Sequence, residues 1–211
     1  MNFLAYIIGI TTVLGSCGQV PIESQNRKLI YETMSNGKIS NSYDVVMKLS
    51  ESEYYIHSYT ENDKVTSTLK FKREKEGEYL VSTVYFEYDS LGQKQTLEVV
   101  TNEGLYYPYA DTVIEFQSSY VSKRFEGTII LRKYKVLSTK EENYVFNKQD
   151  RKVLKYIWKI EMRTVIDRVL DNESIVFDGV TYFDREIGVL ETRITHNGET
   201  KVEKLVDVIY E

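Results

Sequence analysis

Carboxylates are the side chains in this sequence best placed to do chemistry. Three pairs stand close together: Glu51 with Glu53, Glu141 with Glu142, and Asp184 with Glu186. Two acids flanking a sugar bond can hydrolyse it, one as general acid and the other as nucleophile or base. All three pairs lie in turn-rich polar sequence, where solvated surface acids are the ordinary outcome. Histidine is scarce, with His57 in a tyrosine-rich run and His196 beside Asn197-Gly198. Neither has partners at a zinc-ligand spacing, so no metal or other cofactor is expected. No Gly-x-Ser-x-Gly elbow, phosphate-binding loop or EF-hand loop is present. The expectation is a protein that catalyses nothing, with a glycoside hydrolase built on an acidic pair as the enzymatic alternative.

Aromatic side chains offer binding instead. The chain has 18 tyrosines against one tryptophan and two prolines. Tyrosine favours strands and combines an apolar ring with a hydroxyl that tolerates water. Gly104 to Asp111 groups Leu105, Tyr106, Tyr107 and Tyr109 around Pro108. Proline cannot donate a ladder hydrogen bond, so this piece is expected to be an edge strand or a loop. Its tyrosines could stack on a sugar or cover an apolar ligand; equally, they could cap the open end of a barrel. Trp158, on the most regular run of the chain, is the fourth ligand-binding candidate. Tyr54, Tyr55 and Tyr59 form a second aromatic group, read as strand packing.

Charge narrows the partners. The 32 acids and 27 Lys/Arg are interspersed, for a net charge of −5. Nucleic-acid binding needs a clustered basic face, and none is present.

The N-terminus bears on location. Met1 to Ser16 carry no charged side chain, and Phe3 to Val13 form a short, mostly apolar run closed by Gly15, Ser16 and Cys17. This is the pattern of a secretory signal, although its n-region lacks the usual Lys or Arg. Spanning a bilayer needs about 20 apolar residues, more than this run supplies. A plain cleaved signal and a cysteine buried in a strand are the alternatives for the single thiol. Leu14-Gly15-Ser16-Cys17 resembles the lipobox of bacterial lipoproteins. The resemblance implies cleavage before Cys17 and acyl chains on that residue, a membrane anchor through palmitate-type lipid. It also implies, from Gly18 where an inner-membrane retention signal has Asp, the outer membrane facing the periplasm.

The remaining chain must position these groups. From Leu29 onward apolar residues recur with period two, as half-buried strands require. The clearest run is Leu154, Tyr156, Trp158, Ile160 and Met162, opposite Lys155, Lys159 and Glu161. Asn36-Gly37, Asp178-Gly179 and Asn197-Gly198 are expected to be tight hairpin turns. Lys148-Gln149-Asp150 marks another reversal, and Gly188 is expected at positive φ. About a dozen strands follow from these rules. The expected organisation is a signal peptide over 1–16, a tether over 17–26 and one all-β domain over 27–211. That domain is a strongly curved antiparallel sheet forming an open barrel or sandwich. Tyr182 to Thr192 resembles the C-terminal hairpin of uncharacterised bacterial envelope proteins with curved antiparallel sheets.

These readings combine into a lipid-anchored envelope binding protein. Its inner face, with its aromatics, would hold an apolar or amphipathic ligand or the surface of a partner protein. The alternative is a carbohydrate- or protein-binding accessory subunit of an outer-membrane complex, acting through the segment around Tyr106.

Overall fold

The structure, a computed structural model, describes residues 26–89, 91–101, 104–121, 128–166 and 169–210. The signal segment over 1–16, Cys17 and the tether up to residue 25 lie outside the described residues.

Alternating sequence produces strands throughout. In chain order they are β1 (Arg27–Ser35), β2 (Lys38–Lys48), β3 (Glu53–Thr60), β4 (Val65–Glu74), β5 (Gly77–Tyr88), β6 (Lys94–Thr101) and β7 (Gly104–Pro108). There follow β8 (Ile114–Val121), β9 (Thr128–Phe146), β10 (Gln149–Ile166), β11 (Val169–Asp184), β12 (Gly188–His196) and β13 (Glu199–Tyr210). They form one antiparallel sheet in the order β4-β3-β2-β1-β13-β12-β11-β10-β9-β8-β6-β5-β7, with β4 also paired to β5. The sheet curves back on itself around one core. It is not an evenly closed barrel, because the β6–β8 ladder narrows to three residue pairs, Val99 with Tyr120 through Thr101 with Ser118.

Turn chemistry explains most reversals. Asn36 and Gly37 (φ 49° and 71°) and Asn197 and Gly198 (φ 49° and 80°) adopt the left-handed pair that two-residue hairpins require. Asn147 and Lys148 do the same at 49° and 64°, one residue ahead of the expected reversal. Gly188, at φ 117°, opens β12 after the turn that holds Arg185 to Ile187.

Asp178-Gly179 is not a turn. Both residues lie inside β11, where Gly179 pairs with Trp158 of β10. The glycine is there for space, since a Cβ on it would fall 2.0 Å from the Trp158 ring. The β10–β11 ladder continues past this point to the Ile166–Val169 pair.

Side chains of alternate residues fill the inside of the curve. Leu29, Ile56, Leu69, Phe71, Val136, Tyr156, Trp158, Phe183 and Leu190 are at most 1% exposed. Lys155, Lys159 and Glu161 take the opposite face of β10 from Trp158, as the alternation requires. Burying aromatics of this size supplies most of the core's apolar area, so no disulfide is needed to hold the domain.

Candidate binding surface

The sequence's ligand-binding candidates converge inside the core. Tyr106 and Tyr107 of β7 and Trp158 are each 1% exposed. The Tyr106 ring stacks on Tyr134 at 4.8 Å, and Tyr134 lies 6.0 Å from Trp158. Tyr107 stacks on Phe183 at 5.0 Å and leans on Tyr156 at 5.3 Å. Their polar ends are paired as well. Arg132 Nη2 donates to the Tyr106 hydroxyl at 3.4 Å, and Trp158 Nε1 donates to Thr181 Oγ1 at 2.9 Å. β7 is the expected edge strand, pairing β5 at the end of the sheet order. Its tyrosines lie in side-chain contact with the core, with their rings packed against other rings.

Tyr109 sits apart, where the loop after β7 meets a buried acid. Its hydroxyl bonds Glu78, which is fully buried. Glu78 also accepts from Tyr54 Oη and from Arg73 Nε, both at 3.1 Å. Burial lowers the Arg73 pKa, but the Glu78 carboxylate outweighs it and the guanidinium ends above its ordinary value. Arg185 covers the group, with its guanidinium 4.8 Å above the Tyr109 ring and Nη2 donating to the Tyr109 carbonyl at 3.1 Å.

Each acidic pair has at least one member held by a local partner. Asp184 Oδ2 accepts from Arg151 at 3.0 Å, and Oδ1 caps the turn by accepting from the amides of Glu186 and Ile187 at 2.7 and 3.0 Å. Glu53 pairs with Lys70 at 3.1 Å and Glu142 with Lys155 at 3.0 Å. His196 Nδ1 bonds the Val176 carbonyl at 2.8 Å, so that nitrogen is the donor.

Half-buried aromatic side chains line the outer face of β2 to β6. Tyr43 and Tyr59 are direct cross-strand partners, and so are Val45 with His57 and Met47 with Tyr55. Adjacent strands continue these rows through Ile30, Lys28, Thr68 and Val84. The Tyr43 and Tyr59 rings stack at 4.9 Å with an interplanar angle of 11°. Lys28 Nζ lies 3.6 Å from the Tyr43 centroid. Tyr59 approaches from the β3 side and Lys28 from the β1 side, so both faces of Tyr43 are taken. The Tyr43 ring is thus packed between Tyr59 and Lys28.

Lysines recur over rings across this face. Lys94 Nζ is 3.8 Å from the Phe86 centroid and Lys64 Nζ 5.0 Å from that of Tyr88. Each such contact contributes about 0.5–1 kcal/mol at an exposed site. Asp63 accepts from the Tyr43 hydroxyl at 2.6 Å. That bond, with some burial, pushes the Tyr43 phenol up to about 12. Burial and the Lys94 charge hold His57 below its ordinary value, and its Nδ1 is 2.9 Å from Thr68 Oγ1. The face is thus aromatic, half-buried and edged with ammonium groups, suited to an acidic, amphipathic surface.

Sequence reasoning named Tyr55 and Tyr59 only as strand packing, took Tyr43 and Tyr88 only as part of strand alternation, and did not single out Phe86. A usable signal existed in parity, since Tyr55, His57 and Tyr59 share one face of their strand while Tyr54 points inward and is 2% exposed.

Comparison with known proteins adds the fold's company. No protein-family model and no curated protein matches the chain. Among solved structures it resembles a "putative lipoprotein" from Parabacteroides distasonis at a TM-score of 0.61 and 13% identity, covering 90% of this chain and 97% of that one. It also resembles a "putative exported protein with YmcC-like fold" from Bacteroides fragilis at a TM-score of 0.53 and 10% identity, covering 92% and 99%. At such identities the likeness is one of fold.

Proposed function

We propose that this chain is a lipid-anchored, non-catalytic envelope protein that docks a partner protein through the outer face of β2 to β6. The observation that carries this reading is the Tyr43–Tyr59 stack flanked by Lys28, on a face where Lys64 and Lys94 also cover aromatic rings. Interfaces are enriched in tyrosine and other aromatics, and exposed lysines steer acidic partners toward them. An apolar ligand held inside the curve would need the volume now filled by Tyr106, Tyr107, Tyr134 and Trp158. The partner-protein reading needs no such rearrangement.

The address rests on Leu14-Gly15-Ser16-Cys17 and is supported by fold similarity to chains named as a lipoprotein and an exported protein. Lipid on Cys17 would hold the domain at the outer membrane, facing the periplasm. Two experiments test the two halves separately. Cys17→Ala should abolish incorporation of labelled fatty acid; absence of label in the wild type would remove the anchor. Tyr59→Ser with Phe86→Ser should leave the domain folded and labelled while its co-purifying partner is lost. Retention of that partner by the folded double variant would remove this face from the reading.

A further inference from the structure

The structure points to a second contact surface, at the end of the fold where the tether leaves. Asn26 is the residue at which the described chain begins, and its side-chain oxygen accepts the Lys48 amide at 3.3 Å. The tether exit is thereby pinned beside the end of β2. On its other side lies the end of β13, with Arg27 opposite Tyr210 and Lys28 opposite Ile209. Both flanking strand ends carry exposed apolar side chains: Met47 at 42% and Leu49 at 49% on one side, Ile209 at 45% and Tyr210 at 58% on the other. Lys28 stands between the two groups, as partner of Val45 and of Ile209.

We propose that this rim rests on the lipid surface that holds the Cys17 acyl chains. The inference depends on the lipoprotein reading above. Nine peptide steps separate Cys17 from Asn26, and a fully extended chain spans at most about 3.3–3.6 Å per residue. The exit therefore lies within about 30 Å of the bilayer, a reach that allows this rim to meet the lipid surface. Exposed Leu, Ile, Met and Tyr beside lysine match the composition of interfacial contacts, where apolar side chains enter the headgroup boundary and cations meet anionic lipid. Such seating would also fix the domain's orientation, with β2 to β6 rising from the membrane so that the Met47–Tyr55 row lies nearest the lipid and the Tyr43–Tyr59 pair, farther along the strands, stays open to a partner.

The experiment uses the full-length lipidated protein in vesicles of phosphatidylethanolamine and phosphatidylglycerol. A thioether-bound Cys17 leaves no free thiol, so one introduced cysteine carries a nitroxide cleanly. Leu49→Cys and Ile209→Cys report on the rim, and Leu91→Cys, in the β5–β6 turn, reports on the opposite end. Expected is that labels at 49 and 209 lose most of their accessibility to a water-soluble nickel chelate and stay accessible to oxygen, while 91 remains open to nickel. Labels at 49 and 209 as open to nickel as 91 would overturn the rim contact and leave the anchor standing. Labels shielded from both nickel and oxygen would also overturn it, placing the tether or another protein on the rim. A free thiol titrated at Cys17 in the membrane-purified wild type would remove the anchor, and the rim contact with it.

Discussion

Gly179 lies directly under the indole of Trp158: the two are cross-strand partners in β10 and β11, and a Cβ at position 179 would meet three ring atoms between 2.0 and 2.3 Å. The glycine lets the largest side chain of the core lie flat against its neighbour strand. Gly179→Ala should therefore destabilise through overpacking, by about 1–3 kcal/mol. Trp158→Ala, which empties the same space, should cost about 3–5 kcal/mol. Denaturant unfolding measures both. A neutral Gly179→Ala would mean that the ring has room to move.

Glu78 and its three donors make a second prediction. Removing the acid leaves Arg73 partly buried without its ion pair, so Glu78→Ala should cost about 3 kcal/mol. Tyr109→Phe removes a single hydrogen bond and should cost about 1 kcal/mol. The ratio of the two in equilibrium unfolding checks whether Glu78 is the hub of the cluster.

Acid should stabilise the fold through Glu203. This side chain is 4% exposed; burial raises its pKa, and Lys201 opposes that only in part. The folded state then binds the proton more tightly than the unfolded one, so this contribution to stability falls as pH rises above the ordinary carboxylate value of about 4.3. Glu203→Gln should be more stable than the wild type at neutral pH and should flatten that part of the profile. Identical pH profiles for the two would contradict the assignment.

The Tyr43 phenol offers a spectroscopic check on the geometry of the proposed docking face. Its pKa of about 12 arises first from the hydrogen bond to Asp63, so Asp63→Asn should return it toward 10.0. Ring-labelled tyrosine followed by NMR through alkaline titration resolves this residue from the others. An unchanged titration in Asp63→Asn would show that the bond does not form in solution.

The fold was legible because a sheet with one covered face writes its period into the chain. Trp158 with Tyr156 and Ile160 inside, and Lys155 with Lys159 outside, is that rule in a single strand. Asn36-Gly37 and Asn197-Gly198 announced their hairpins because left-handed φ selects those residues. Asn147-Lys148 adopts the same geometry with an unfavoured second residue, held there by the long pairing of β9 with β10. Asp178-Gly179 misled for the opposite reason: its glycine answers to a tryptophan some twenty positions back, a relationship that exists only once the strands are in register. The proposed docking face was hidden in the same way. Tyr43 and Tyr59, or Lys94 and Phe86, become neighbours through strand pairing, and no local motif joins them.

Photo-crosslinking in living cells tests the central claim most directly. A photoreactive phenylalanine at position 59 places the probe in the Tyr43 stack, and one at Ile157, 41% exposed on the outer face of β10, samples another part of the sheet. The account predicts one discrete crosslinked species from position 59, none from 157, and loss of that species when Phe86→Ser accompanies the probe. Equal crosslinking from 59 and 157, or none from 59 in a correctly lipidated protein, would contradict it.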